Sequence, residues 1–201
     1  MIRRLHAIAL AALVAVPGAA QAQRAAPTTV ILVRHAEKLT SNPAEPNPGL
    51  TPAGLQRARD LATALRNRRV SAIITTDLAR TRLTAVPTAQ RFHVTPEEVQ
   101  AGGDVLVHAR TVADRVRAHP GQTVLVVGHS NTVAKIIAAL GGPTIGDICD
   151  DAYSNLFTLV IPPTGTPRLT HGHYGAADPA PDGHTCVDGV KQEHHAAAGH
   201  R

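Results

Sequence analysis

Three short segments of this 201-residue chain gather the side chains best suited to grip an anion and attack it. The first is Arg34-His35-Ala36-Glu37-Lys38. The second is Thr76-Asp77-Leu78-Ala79-Arg80-Thr81. The third is Gly128-His129-Ser130-Asn131-Thr132. Arginine presents a planar fork of permanent charge that matches phosphoryl oxygens. Histidine titrates near neutrality and can act as nucleophile, acid or donor. Two Arg and two His in one pocket would suit a phosphate dianion. Backbone N–H groups where a helix follows Gly128 would add to it.

The elements that must position these groups can be read from the pattern. Residues 28–33 (TTVILV), 70–75 (VSAIIT) and 123–127 (TVLVV) are continuous apolar runs rich in β-branched residues. Such runs fit parallel strands buried on both faces. Each runs into one of the three segments. Thr51-Pro52 offers an N-cap and a proline at the first helical position, and Leu55, Ala58, Leu61, Ala62 and Leu65 fall on one helical face. Helices are expected over about 78–90, disturbed at Pro87, over 104–118, and over 131–140 closed by Gly141-Gly142. A short strand is expected at 92–94, and later strands at 156–161 and 168–173. Residues 39–50, with Pro43, Pro46, Pro48 and Gly49, read as a surface loop. The alternation predicts an α/β fold: a three-layer α/β/α sandwich with a mostly parallel central sheet. Open sheets of this kind bind ligands beyond the carboxyl ends of their strands, where the three segments lie.

At these residues the chain resembles the histidine phosphatase superfamily, in its phosphoglycerate-mutase-like branch. The resemblance rests on Arg34-His35 after the first strand, on residues 76–81 in place of a Ser-x-x-x-Arg-Thr segment, and on Gly128-His129 after a later apolar strand. It spans residues 30–160. Leu50-Thr51-Pro52-x-Gly54 and residues 128–132 look like a small exported bacterial subgroup. The resemblance implies a phosphoglycerate-mutase-like fold and hydrolysis of a phosphate monoester, as in histidine acid phosphatases, rather than mutase chemistry. His35 would attack phosphorus and become phosphohistidine. Arg34, Arg80 and His129 would hold the equatorial oxygens, with Asn131, and Ser130 beside it, as further phosphate donors. No cofactor or metal is implied. Two departures stand out. Ala36 replaces the usual glycine, and the acid that protonates the leaving group is not obvious. Asp104 is the favoured candidate, with Glu97, Glu98 and Glu37 as alternatives. A chain without a dedicated acid would work best on good leaving groups.

Two rival classes start from the same sequence. Residues 128–132 approach a G-x-S-x-G elbow, which would make Ser130 the nucleophile of a serine hydrolase. Asp150 or Asp151 and His171 or His173 would complete its triad. Thr132 in place of the last glycine, and the unexplained Arg34-His35 and Arg80, count against it. A non-catalytic periplasmic anion- or metal-binding protein is the other. Arg82, His93, His108 and His119 carry no motif and read as surface or structural.

The composition sets the remaining bounds. Aromatic residues are 2% of the chain and Trp is absent, which disfavours base-stacking nucleic-acid modules. Residues 1–22 read as a secretory signal peptide: Arg3 and Arg4, an apolar run at 7–16, then Ala20-Gln21-Ala22. The run is too short for a comfortable membrane span. Loss of Arg3 and Arg4 with this leader would take the formal charge from +5 to +3. The leader predicts export, to the periplasm if the cell is Gram-negative, and the expected partner is a phosphorylated small molecule or envelope component. Cys149 and Cys186 could form a disulfide in that setting. The catalytic domain is expected over 23–174, with a His-rich, flexible tail over 175–201. His171, His173 and the tail histidines show no fixed metal-ligand spacing.

Overall fold

The computed structural model describes residues 26–179, 186, 187 and 189–191, so the expected leader lies outside the described residues. In chain order the main elements are β1 (Thr28–Arg34), α1 (Pro52–Ala64), β2 (Val70–Thr76), α2 (Ala79–Phe92), β3 (Glu97–Val99), α3 (Val105–Arg117), β4 (Thr123–Gly128), α4 (Val133–Ala139), β5 (Asn155–Ile161) and β6 (Arg168–His173). They build one six-stranded sheet in the order β3-β2-β4-β1-β5-β6. The first four strands in that order run parallel, whereas β5 and β6 are antiparallel.

The apolar strand runs divide their side chains between two faces, as the strand period of two requires. Ile31, Val33, Ile73, Leu125 and Val127 pack with Leu61 and Leu65 beside α1 and with Ala85 of α2. Val30, Leu32, Ala72, Ile74, Val124 and Val126 pack with Val112 and Val116 of α3 and Ile136 and Ile137 of α4. Helices therefore cover both faces, and the three layers expected from the sequence are present.

Local chemistry fixes the helix starts. The Thr51 hydroxyl accepts the Gly54 N–H at 3.0 Å, ahead of Pro52. Asp104 accepts the N–H groups of Leu106 and Val107 at 2.8 and 2.9 Å, opening α3. Three expectations change. Helix α2 runs through Pro87, because buried Thr81, Thr84, Ala85 and Thr88 anchor that face. The short strand is not at 92–94: Phe92 ends α2, and His93 turns the chain at φ 55°. Pairing with β2 selects Glu97–Val99 instead. Helix α4 begins at Val133, since the Thr132 and Val133 N–H groups turn back to the His129 carbonyl.

Two short strands follow the main sheet, β7 (Cys186–Val187) and β8 (Val190–Lys191), paired as a hairpin. Lys191 N–H donates to the Asp147 carbonyl at 2.7 Å, and Cys149 N–H donates to the Gly189 carbonyl at 2.9 Å. Cys149 is disulfide-bonded. Nearer the sheet, Asp178 accepts the Tyr153 and Ser154 N–H groups and the Ser154 hydroxyl. Arg57 donates to the Tyr174 and Ala176 carbonyls. The described residues of the expected flexible tail are thus fastened to the domain. No helix among the described residues is long and apolar enough to cross a membrane.

Candidate active site

Strand register brings the two candidate histidines together. β1 and β4 run side by side with Arg34 opposite Gly128. Each histidine is the next residue, and His35 N–H donates to the Gly128 carbonyl at 2.9 Å. The rings meet edge to face with centroids 5.4 Å apart. Arg34, His35, Arg80, His129, Ser130 and Asn131 line a single cavity of about 390 Å³ beyond the carboxyl ends of these strands.

His35 is 4% exposed. Its Nδ1 lies 2.8 Å from the Ala36 carbonyl oxygen. A carbonyl can only accept, so Nδ1 carries the proton and Nε2 keeps its lone pair. Burial pushes the ring's pKa down to about 3; Arg34, His129 and Arg80 push the same way, against the Ala36 hydrogen bond. At neutral pH His35 is therefore an unprotonated imidazole with a nucleophilic nitrogen. The loop that carries it is pinned where Ala36 N–H donates to the Thr84 hydroxyl at 2.9 Å.

His129 is set by a chain of hydroxyls. The Thr81 hydroxyl lies 2.8 Å from the Leu78 carbonyl and 3.0 Å from the Thr76 carbonyl, and its one hydrogen is committed there. Thr76 must then donate to Thr81 across 2.8 Å. That leaves Thr76 Oγ1 an acceptor for His129 Nε2–H at 3.2 Å. From the other side, His129 N–H donates to the Thr132 hydroxyl at 2.9 Å. Burial lowers the His129 pKa to about 4, and Arg80, His108 and Arg34 lower it further against Asp77.

Arg34 is 6% exposed. Its Nη1 donates to the carbonyls of Cys149, Asp150 and Ala152 at 2.9, 2.8 and 3.1 Å. Its guanidinium carbon sits 4.2 Å from the centroid of the Tyr153 ring. The segment 149–153 thus clamps one edge of the fork. Arg80 makes no ion pair or hydrogen bond through its side chain among the described residues, and its Nε is buried without a partner. Burial lowers the pKa of both guanidinium groups. An anion entering here would meet two desolvated, permanently charged forks.

The carboxylates weighed as leaving-group acids are engaged elsewhere. Asp104 caps α3 and does not line the cavity. Glu97 binds His119 at 2.7 Å, Glu98 faces Arg82 at 3.6 Å, and Glu37 holds Arg57 at 2.8 Å. The serine-hydrolase arrangement is not assembled either. His171 bonds Asn155 and stacks on Phe157, His173 bonds Ser154, and neither ring lines the cavity holding Ser130. No cluster of three metal-ligating side chains occurs among the described residues. Of the histidines without a motif, His108 is buried on α3 with Nδ1 3.1 Å from the Gln100 carbonyl, and His119 meets Glu97. The roles of Tyr153, Thr84 and Thr132 escaped the sequence reading. Tyr153 follows no buried strand, Thr84 lies within a helix, and Thr132 stood in the third segment with no role of its own.

Comparison with known proteins agrees with this geometry. Residues 30–104 match the model of the histidine phosphatase superfamily (branch 1). No curated protein matches the chain by sequence. Among solved structures, a Nakamurella multipartitia protein assigned as the phosphohistidine phosphatase SixA superposes with a TM-score of 0.56 at 22% identity, covering 76% of this chain and 99% of its own. The protein histidine phosphatase SixA bound to tungstate gives 0.57 at 15%, covering 72% and 96%. Mycobacterial glucosyl-3-phosphoglycerate phosphatase Rv2419c gives 0.56 at 17%, covering 75% and 100%. At these identities the neighbours share the fold. The family match covers residues 30–104, the segment that carries Arg34, His35 and Arg80.

Proposed function

We propose that the protein hydrolyses phosphate monoesters through a phosphohistidine intermediate on His35. The observation that carries this reading is the pair His35 and His129 between Arg34 and Arg80, with Nε2 of His35 left as a free lone pair. In the first step Nε2 bonds to phosphorus and the bond to the leaving oxygen breaks. Arg34 and Arg80 face the equatorial oxygens, where transition-state charge spreads, and the bound dianion favours a protonated His129 that adds a third donor while Nε2–H stays on Thr76. Asn131 lines the same cavity and supplies a further donor. Water then attacks phosphorus, the N–P bond breaks, and inorganic phosphate leaves.

The engagement of Asp104, Glu97, Glu98 and Glu37 supports substrates whose leaving group departs with little protonation. Aryl and acyl phosphates fit that description. Across a series of aryl phosphates, kcat/KM is expected to fall steeply as the leaving-group pKa rises. A flat series would restore a strong general acid to the mechanism. Hydrolysis with inhibition by vanadate is the direct test, and unchanged turnover in His35→Ala would overturn the assignment.

Export belongs to the same proposal. The leader read at residues 1–22 supports a mature protein beginning at Gln23, acting on phosphorylated small molecules or envelope components in the periplasm. N-terminal sequencing of protein from the envelope fraction checks it. A retained Met1 in the cytosolic fraction would contradict it.

A further inference from the structure

The catalytic cavity holds more cationic side chains than one phosphoryl group uses. Beyond Arg34, Arg80 and the two histidines, Lys38 and Lys191 line it. Lys38 follows the nucleophile loop and is fixed by a backbone bridge to Leu50. Its ammonium makes no ion pair among the described residues. Lys191 comes from the far end of the chain, on β8. Its position is specified by the Lys191–Asp147 and Cys149–Gly189 backbone bonds and the Ile148–Val190 bridge. The approach is so close that a Cβ on Gly146 would overlap the Lys191 carbonyl.

The opposing acids leave this charge largely uncancelled. Asp147 lies 3.4 Å from Lys135. Asp150 lies 3.5 Å from the Lys191 ammonium, but it is 84% exposed, so the pair is weak and exchangeable. We infer that Lys38 and Lys191 form a second-anion subsite, and that the substrate's leaving group carries a carboxylate or another phosphate. This rests on the phosphatase reading, with the first phosphoryl held by Arg34, Arg80 and His129. Lysine suits the role as a flexible point charge that follows an anion on a leaving group of variable length.

Phosphonates test the subsite without turnover. Alkylphosphonates are compared with partners of equal chain length ending in a carboxylate, over two to four carbons, by calorimetry at low salt. At least one carboxylated ligand is expected to bind about five- to ten-fold tighter than its alkyl counterpart, the scale of two exposed charge contacts. In Lys38→Met/Lys191→Met the ratio collapses towards one. Equal binding of every pair by the wild type, or a ratio that survives the double substitution, would overturn the subsite. Failure of the phosphatase reading shows differently, as absent ester hydrolysis while the phosphonate ratio still stands.

Discussion

At the scale of single residues, the site works by setting protonation states. His35 suits the proposed nucleophile because its Nδ1–H donates to the Ala36 carbonyl, leaving Nε2 a lone pair, and because burial and three neighbouring cationic or ionisable groups keep the ring neutral. His129 depends on Thr76, whose hydroxyl is forced into the acceptor role. Thr76→Val should therefore lower kcat/KM about five-fold, near the net worth of one hydrogen bond, with the loss mainly in kcat. A loss confined to thermal stability would contradict the positioning role. Among the described residues the Arg80 side chain has no structural partner to release. Arg80→Ala should cut kcat by about 10²–10³ while leaving the melting temperature nearly unchanged. Both outcomes need only steady-state kinetics and a thermal melt.

At the scale of elements, most of the site's scaffolding is legible in the sequence. The apolar runs at β1, β2 and β4 each end in a polar segment, and parallel pairing of Arg34 with Gly128 does the rest. Less legible was everything set by tertiary contact. Pro87 stays inside α2 because threonines around it are buried, and β3 lies where β2 offers an edge. The hairpin carrying Lys191 has no periodic signal, being five described residues docked on 147–149. Asp104 stands at the helix start that the sequence indicates, and its carboxylate is spent there on the Leu106 and Val107 N–H groups. The loop bearing His35 also depends on α1. A Cβ at Gly54 would fall inside contact distance of the Glu37 carbonyl, so the backbones must touch there. Gly54→Ala should destabilise the protein by about 1–3 kcal/mol and depress kcat by displacing the loop. Denaturant unfolding with parallel kinetics checks both. An unchanged unfolding midpoint would show that the two segments move apart freely.

At the scale of the whole molecule, the depressed histidine pKa values couple stability to pH. His35 and His129 hold protons less tightly in the fold, at pKa values of about 3 and about 4, than in the unfolded chain, near 6.5. Below about pH 6.5 the unfolded state binds the extra protons, so stability falls as the solution is acidified towards those folded values. The slope approaches about 1.4 kcal/mol per pH unit for each histidine. Thermal melts between pH 7 and 4 should show a shallower decline in His35→Gln/His129→Gln than in the wild type. Equal slopes would mean that neither ring titrates as the site's burial and charge require.

The central claim is that His35 is the atom donor to phosphorus, and trapping the intermediate tests it most directly. The wild type, quenched in alkali during turnover of a ³²P-labelled aryl phosphate, should retain label that is stable to base and lost in acid. The label should map to His35 and vanish in His35→Ala. Turnover without such label in the wild type, or label persisting in His35→Ala, would contradict the account.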